Sequence, residues 1–150
     1  MSSFHPFVVH FPLALFITAS FFALVGLFYR RGLFKEIVFW QNIIGMVFVC
    51  LAIYSGMADA DALLINHEVE EIVAIHKKNG MMVAIIFGSL TLWLAIRRKL
   101  MSTPEYASIV VFLMIGCIAV IYQAHVGSKL VYKKGLGVEA ASTMTNSIKK

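Results

Sequence analysis

The sequence contains few charged residues and few cysteines. Asp, Glu, Lys and Arg together make up 14% of the 150 residues, whereas hydrophobic residues make up 60% and the mean hydropathy is +0.84. A soluble core of this size cannot bury so much apolar surface. The two cysteines, Cys50 and Cys117, lie inside apolar segments and form neither a CxxC nor a CxxCH motif. We therefore expect a membrane protein with neither a disulfide nor covalently attached haem.

Several functional classes lack their sequence signatures. The net charge is +5, but the basic residues are divided among loop ends and the C-terminal tail, without the aromatic-interleaved stripe of a nucleic-acid-binding surface. There is no Ser/His/Asp set, no phosphate-binding loop and no pair of carboxylates within an apolar segment. We therefore expect no nucleic-acid partner and no enzymatic chemistry beyond redox.

The sequence does contain four long segments without Asp, Glu, Lys or Arg. Each has the roughly 18 to 25 residues with which a helix crosses about 30 Å of hydrocarbon. The predicted fold class is all-α: an integral membrane four-helix up-down bundle in a lipid bilayer. We place the spans at about 6–29, 37–58, 77–97 and 106–127, in a transmembrane domain of residues 1–132 that is followed by a polar C-terminal tail of residues 133–150.

Basic residues in the short loops predict the orientation. Arg30, Arg31 and Lys35 join the first two spans, and residues 97–99 join the last two, so the positive-inside rule makes both loops cytoplasmic. We expect a multi-pass protein of the cell (inner, cytoplasmic) membrane with both termini on the periplasmic or extracellular side. No basic region precedes the first span, which is therefore expected to be retained rather than cleaved as a signal peptide.

The segment from residue 59 to residue 78, before the third span, is amphipathic. It holds five of the eight acidic residues, among apolar residues at a loosely helical interval. This pattern predicts a short amphipathic helix on the outer face that runs into the third span near His76. Either a solvated acidic surface or a lid or partner-docking surface fits the composition. His67, in the middle of this segment, is expected to be exposed.

Four histidines, His5, His10, His76 and His125, fall at span ends that meet at the outer face in an up-down bundle. Imidazole is a common metal and haem ligand and is costly to place near hydrocarbon. The four therefore form a candidate binding site. A structural role, with each ring hydrogen-bonded to a carboxylate or backbone group, is the alternative, above all for His5.

The residues around these histidines predict local structure. Pro12 leaves the carbonyl of Val8 without its helical donor, so the first turns of the first span are expected to be kinked. In the third span, His76, Asn79 and Gly80 share one helical face with Val83. This face is expected to point into the bundle, where Gly80 leaves room for a flat cofactor or for close helix packing.

Four short motifs occur in order along nearly the whole chain. They are His5-Pro6-x-x-Val9-His10-Phe11-Pro12, Gly56-x-x-Asp59, His76 followed by Asn79, and His125-x-Gly127-x-x-Leu130-Val131-Tyr132-x-x-Gly135-x-Gly137-Val138. Together they resemble the prokaryotic membrane proteins of the family called domain of unknown function 2231. The resemblance implies a small four-span protein, and, because some members are fused to or encoded near redox modules, it also implies electron transfer.

We interpret the chain as a b-type haem-binding membrane protein that takes part in electron transfer at the non-cytoplasmic face, more an electron-transfer protein or subunit than a stand-alone enzyme. A four-helix bundle holds haem with imidazoles from two helices as axial ligands. His10 and His76, on diagonal helices, are the first expected axial pair. His125 and His5 are expected to form a second pair or to hold propionates, and Asn79 to contribute to cofactor binding. A redox partner protein or a larger membrane complex is the expected partner.

Two alternatives remain open from the sequence. Three or four of the imidazoles would bind copper or zinc without a porphyrin, and the acidic segment would attract the cation. In the second alternative, the protein is a non-catalytic structural or assembly subunit of a membrane redox complex, and its histidines only form hydrogen bonds at helix ends.

Overall fold

A computed structural model describes residues 4–62 and 67–132, with the main chain alone for 59–62 and 67–68. Within these ranges there are five α-helices and no strand: α1 His5–Val8, α2 His10–Phe28, α3 Arg31–Ala62, α4 His67–Arg97 and α5 Thr103–Tyr132. Four segments are long and apolar enough to cross a membrane: His5–Phe28, Arg31–Ala58, Val69–Arg97 and Thr103–Tyr132. The predicted all-α, four-span fold is confirmed. The predicted tail, 133–150, lies outside the described residues.

Helices α1 and α2 form one span with a break at Val9. Because Pro12 has no N–H, it cannot donate to the carbonyl of Val8 as a helix requires. Val9 separates the two helices. Its N–H donates to the carbonyls of His5 and Phe7, and α2 starts at the next residue. The break lies in the first turns, where Pro12 is expected to disturb the helix, and the kink itself stays a prediction.

The connections at the other end of the bundle are short. Tyr29 is extended, and Arg30 adopts a left-handed conformation with φ of 40°, so two residues reverse the chain between α2 and α3. Ser102 precedes α5, and its hydroxyl oxygen accepts a hydrogen bond from the N–H of Glu105 at 3.4 Å. This is the position of an N-cap. Pro104 fits next to it because the first helical turn needs no N–H donor there.

The four spans pack in up-down order. Helix α2 contacts α3 and α5, and α4 contacts the same two helices, so α2 and α4 lie diagonally across the bundle. The short helix α1 packs on α3. One end of the bundle, called here the histidine end, therefore combines α1, the end of α3, the start of α4 and the end of α5. The opposite end, with the two short connections, is the loop end.

The amphipathic segment is not a separate helix in the part that the structure describes. Helix α3 continues to Ala62, and α4 starts at His67 and runs without a break to Arg97. Neither proline nor glycine interrupts residues 67–79, so nothing in that stretch ends the helix. The segment is thus an extension of two spans. Residues 63–66 and the side chain of His67 lie outside the described residues.

Two phenylalanines meet at the centre of the bundle. The rings of Phe16 on α2 and Phe87 on α4 stack with centroids 3.7 Å apart and planes 5° apart, and both side chains are fully buried. A Cβ at Gly116 of α5 would lie 2.9 Å from the Phe87 ring, and one at Gly45 of α3 would overlap Phe16. The two flanking helices therefore approach the stack closely because each carries a glycine there.

Ion pairs tie the helices together at the loop end. Arg98 pairs with Glu36 of α3 at 3.0 Å, and Arg97 pairs with Glu105 of α5 at 3.0 Å. Glu105 also accepts a hydrogen bond from the indole N–H of Trp93 at 3.0 Å. The end of α4 is thereby attached to both of its neighbours.

Candidate functional site

The histidine end brings two imidazoles together inside the bundle. The rings of His5 on α1 and His76 on α4 lie 6.2 Å apart between centroids, with their planes at 88°. Both side chains are half-buried. Polar residues from α3 and α5 contact them, so all four spans contribute to this site.

His5 is oriented by α3. Its Nδ1 lies 3.1 Å from the hydroxyl oxygen of Ser55, and that hydroxyl donates its own hydrogen to the carbonyl of Ala52 at 3.2 Å. With the hydroxyl hydrogen of Ser55 directed at Ala52, Ser55 accepts from His5, and Nδ1 is the donor. In neutral His5 the lone pair is therefore on Nε2.

His76 is oriented by α5 in a similar way. The side-chain amide nitrogen of Gln123 lies 3.2 Å from Nε2 of His76 and donates to the main-chain carbonyl of His76 at 2.9 Å. An amide nitrogen only donates, so Nε2 of neutral His76 is the acceptor and Nδ1 carries the hydrogen. Both histidines thus have the same tautomer, with the lone pair on Nε2.

Glycines let the neighbouring helices come close to these rings. A Cβ at Gly56 of α3 would lie 2.8 Å from Cε1 of His5, and one at Gly127 of α5 would lie 3.0 Å from Cε1 of His76. At Gly80 a Cβ would lie 3.1 Å from the amide nitrogen of Gln123. Helices α3, α4 and α5 therefore each carry a glycine where they come closest to a side chain of the site.

Three buried polar atoms at this end have no hydrogen-bond partner among the described residues: Nδ1 of His76, Nδ2 of Asn79 and Oε1 of Gln123. Two of them are donors and one is an acceptor. Buried polar groups in proteins are nearly always satisfied by protein, water or a ligand. His76 and Asn79 share one face of α4, and the expectation that this face points into the bundle is confirmed.

His10 lies outside this cluster. It is exposed on the surface of α2, and its Nδ1 donates to the carbonyl of Pro6 at 2.6 Å. His125 is also exposed, near the end of α5, and its carbonyl accepts a hydrogen bond from the hydroxyl of Ser128 at 2.8 Å. Of the four predicted site histidines, the structure brings together His5 and His76, and not His10 with His76.

Among the described residues, no three His, Cys, Asp or Glu side chains form a group able to hold a metal ion. The site instead combines two imidazoles with neutral polar residues. Sequence reasoning did not assign Ser55 and Gln123, which orient the two rings. Their signal was weak but present, since each is a hydrogen-bonding residue near the end of a charge-free apolar segment.

These features define an integral membrane protein with four spans and a polar, histidine-containing site at one end of the bundle. A family model described as a predicted membrane protein, DUF2231, matches residues 1–140. The chain belongs to this family. No curated protein and no solved structure matches the chain.

Proposed function

We propose that the protein holds a histidine-ligated redox metal centre, haem b in the first instance, and takes part in electron transfer at the histidine end. His5 and His76 are the residues that would hold it. The observation that carries the proposal is the juxtaposition of these two rings, 6.2 Å apart, on diagonally placed spans. Bound haem supplies one-electron transfer at its iron.

The tautomers of both rings suit metal ligation. A ligating histidine typically donates its second ring N–H to a protein acceptor, which fixes the ring and raises its basicity. His5 does so toward Ser55 and keeps its lone pair on Nε2. In His76 the lone pair is also on Nε2, which would hold a metal in place of the contact with Gln123.

The ring separation is short enough for both imidazoles to hold one metal. Metal–imidazole bonds are about 2.0–2.1 Å long, so two rings placed opposite one another have centres roughly 6 Å apart, and rings at a tetrahedral angle have centres roughly 5 Å apart. The observed 6.2 Å is of this size, so both rings would hold one metal if their Nε2 atoms face each other. Haem b would be held by two imidazoles, whereas structural zinc takes four protein ligands.

The buried polar atoms without partners also suit a bound group. Nδ2 of Asn79 is a donor on the same face of α4 as His76. Carboxylate oxygens, such as the propionates of haem, are the acceptors that such donors bind most strongly. We assign Asn79 and Gln123 to holding the polar edge of the group and the ring of His76.

The proposal is tested by absorption spectroscopy of the full chain purified in detergent. The wild type is expected to show a Soret band and, after dithionite reduction, separate α and β bands. The variants His5→Ala and His76→Ala are expected to lose them, because each lacks one axial ligand. The matched control His125→Ala, at the same end of the bundle but exposed, is expected to keep them.

Other outcomes would overturn parts of the proposal. Loss of the bands in His10→Ala with retention in His5→Ala would make His10 the partner of His76. A preparation that stays featureless after reconstitution with haem would exclude haem. If elemental analysis then finds about one copper or zinc per chain that the double variant His5→Ala/His76→Ala lacks, the ligands stand and the metal is not haem iron.

A further inference from the structure

A groove on the outer surface of the bundle lies between α2 and α3, away from the His5–His76 pair. It is open to the outside, has a volume of about 590 Å³ and is lined by α1, α2 and α3. Its wall is apolar except for the imidazole of His10, and it extends to Leu15 and Ile44. His10 and Leu15 are separated by roughly 8 Å along the helix axis. The groove thus runs from the end of the span toward the middle of the membrane.

The imidazole of His10 lines this groove. Its Nδ1 lies 2.6 Å from the carbonyl oxygen of Pro6, and a carbonyl only accepts, so Nδ1 carries the hydrogen. In neutral His10 the lone pair is on Nε2, and the ring is exposed. A ligand with a hydroxyl group satisfies this nitrogen, whereas a ligand that carries only acceptors does not.

Aromatic rings form much of the groove wall. Phe11 and Phe48 stack with centroids 4.4 Å apart and planes 8° apart, and Phe7 packs edge-on against Phe11 at 5.3 Å. Flat aromatic ligands pack favourably on such rings. The remaining wall, including Ala14, is aliphatic and suits a hydrocarbon chain.

We propose that this groove binds a quinol, that is, a membrane-soluble hydroquinone with an apolar tail. The hydroxyl donates to Nε2 of His10, the ring packs on the phenylalanines, and the tail lies along Leu15 and Ile44. The occupant reaches the groove from the lipid, because large apolar side chains such as Ile17 and Leu51 are exposed on the same helices. This proposal concerns binding alone and does not depend on the metal centre.

Equilibrium dialysis of the full-length protein, as purified in detergent, tests the groove. The probes are a benzoquinol with a ten-carbon tail, kept reduced by excess reductant, and the corresponding benzoquinone. The wild type is expected to bind the quinol about three- to tenfold more tightly, since one hydrogen bond distinguishes the probes. His10→Phe keeps the groove aromatic but lacks the acceptor, so this preference is expected to vanish.

A variant that fills the groove provides a second test of the proposal. Ala14→Trp fills the groove and is expected to weaken binding of both probes more than tenfold, while the matched control Ala95→Trp, exposed on α4, binds as the wild type does. Equal binding of quinol and quinone to the wild type would overturn the proposal. So would unchanged binding in Ala14→Trp, or retention of a phospholipid in the groove with no affinity for either probe.

Discussion

Glycine at position 127 determines how closely α5 approaches the ring of His76. A Cβ there would lie 3.0 Å from Cε1 of His76, closer than ordinary van der Waals contact. Gly127→Ala is therefore expected to push the ring away from Gln123 and to lower the free energy of unfolding by about 1–3 kcal/mol. Thermal unfolding in detergent, followed by circular dichroism, measures the change.

The matched control is Gly32→Ala, in the first turn of α3, where a Cβ meets nothing within 4 Å. Alanine is favoured over glycine in a helix by about 0.5–1 kcal/mol, so this variant is expected to unfold at the same or a slightly higher temperature. If Gly127→Ala unfolds at the temperature of Gly32→Ala, the close packing against His76 is contradicted.

At the scale of single residues, the sequence predicted part of the site. The i, i+3 spacing of His76 and Asn79 placed both on the inner face of α4, where the structure has them. His5 and His10 are five residues apart, or about 140° around a helix, so only one of them faces the interior. Charge and hydropathy did not distinguish the two, because that choice depends on how α1 packs against Ser55 and Gly56.

Among the helices, α5 is joined to α2 by a buried hydrogen bond. The hydroxyl of Tyr106 donates to the carbonyl of Ala23 at 2.9 Å, and the Tyr106 side chain is fully buried. Tyr106→Phe removes this bond between the two helices and leaves the ring in place. We expect the free energy of unfolding to fall by about 1 kcal/mol.

Unfolding in detergent measures this effect against Tyr132→Phe, at the exposed end of the same helix, where the side chain is 87% accessible. The control is expected to have the same free energy of unfolding as the wild type. Equal stability of Tyr106→Phe and Tyr132→Phe would mean that the hydrogen bond contributes nothing to the packing of α5 on α2.

At the scale of helices, the charge-free runs located the spans but not the helix ends. Helix α3 begins at Arg31 and ends at Ala62, well outside the run from 37 to 58, and α4 begins at His67 rather than near 77. Hydrocarbon excludes charge, so the runs mark the membrane. The backbone hydrogen bonds of a helix continue beyond it wherever no proline or capping residue intervenes.

For the whole molecule, the loop charges predict which end faces the cytoplasm. Lys77 lies at the histidine end and Lys99 at the loop end, and both are exposed. In a chain with Cys50 and Cys117 replaced by alanine, Lys77→Cys is expected to react with a membrane-impermeant maleimide in intact cells. Lys99→Cys is expected to react only after permeabilisation. Gel mobility of the labelled protein measures both.

The two cysteine variants control for one another, since each places one thiol in the same background. Labelling of Lys99→Cys in intact cells, with protection of Lys77→Cys, would reverse the predicted orientation. The proposed metal centre would then face the cytoplasm, and its redox partner would be a cytoplasmic protein.

The two-residue turn at Tyr29 and Arg30 joins α1 and α2 to α3 as one helical hairpin, and the short loop before α5 makes α4 and α5 a second one. His5 and Ser55 belong to the first hairpin, and His76 and Gln123 to the second. Each hairpin therefore carries half of the site, with its own histidine already oriented. The proposed ligand, held by both histidines, would link the two hairpins, so its loss would weaken the assembly of the bundle.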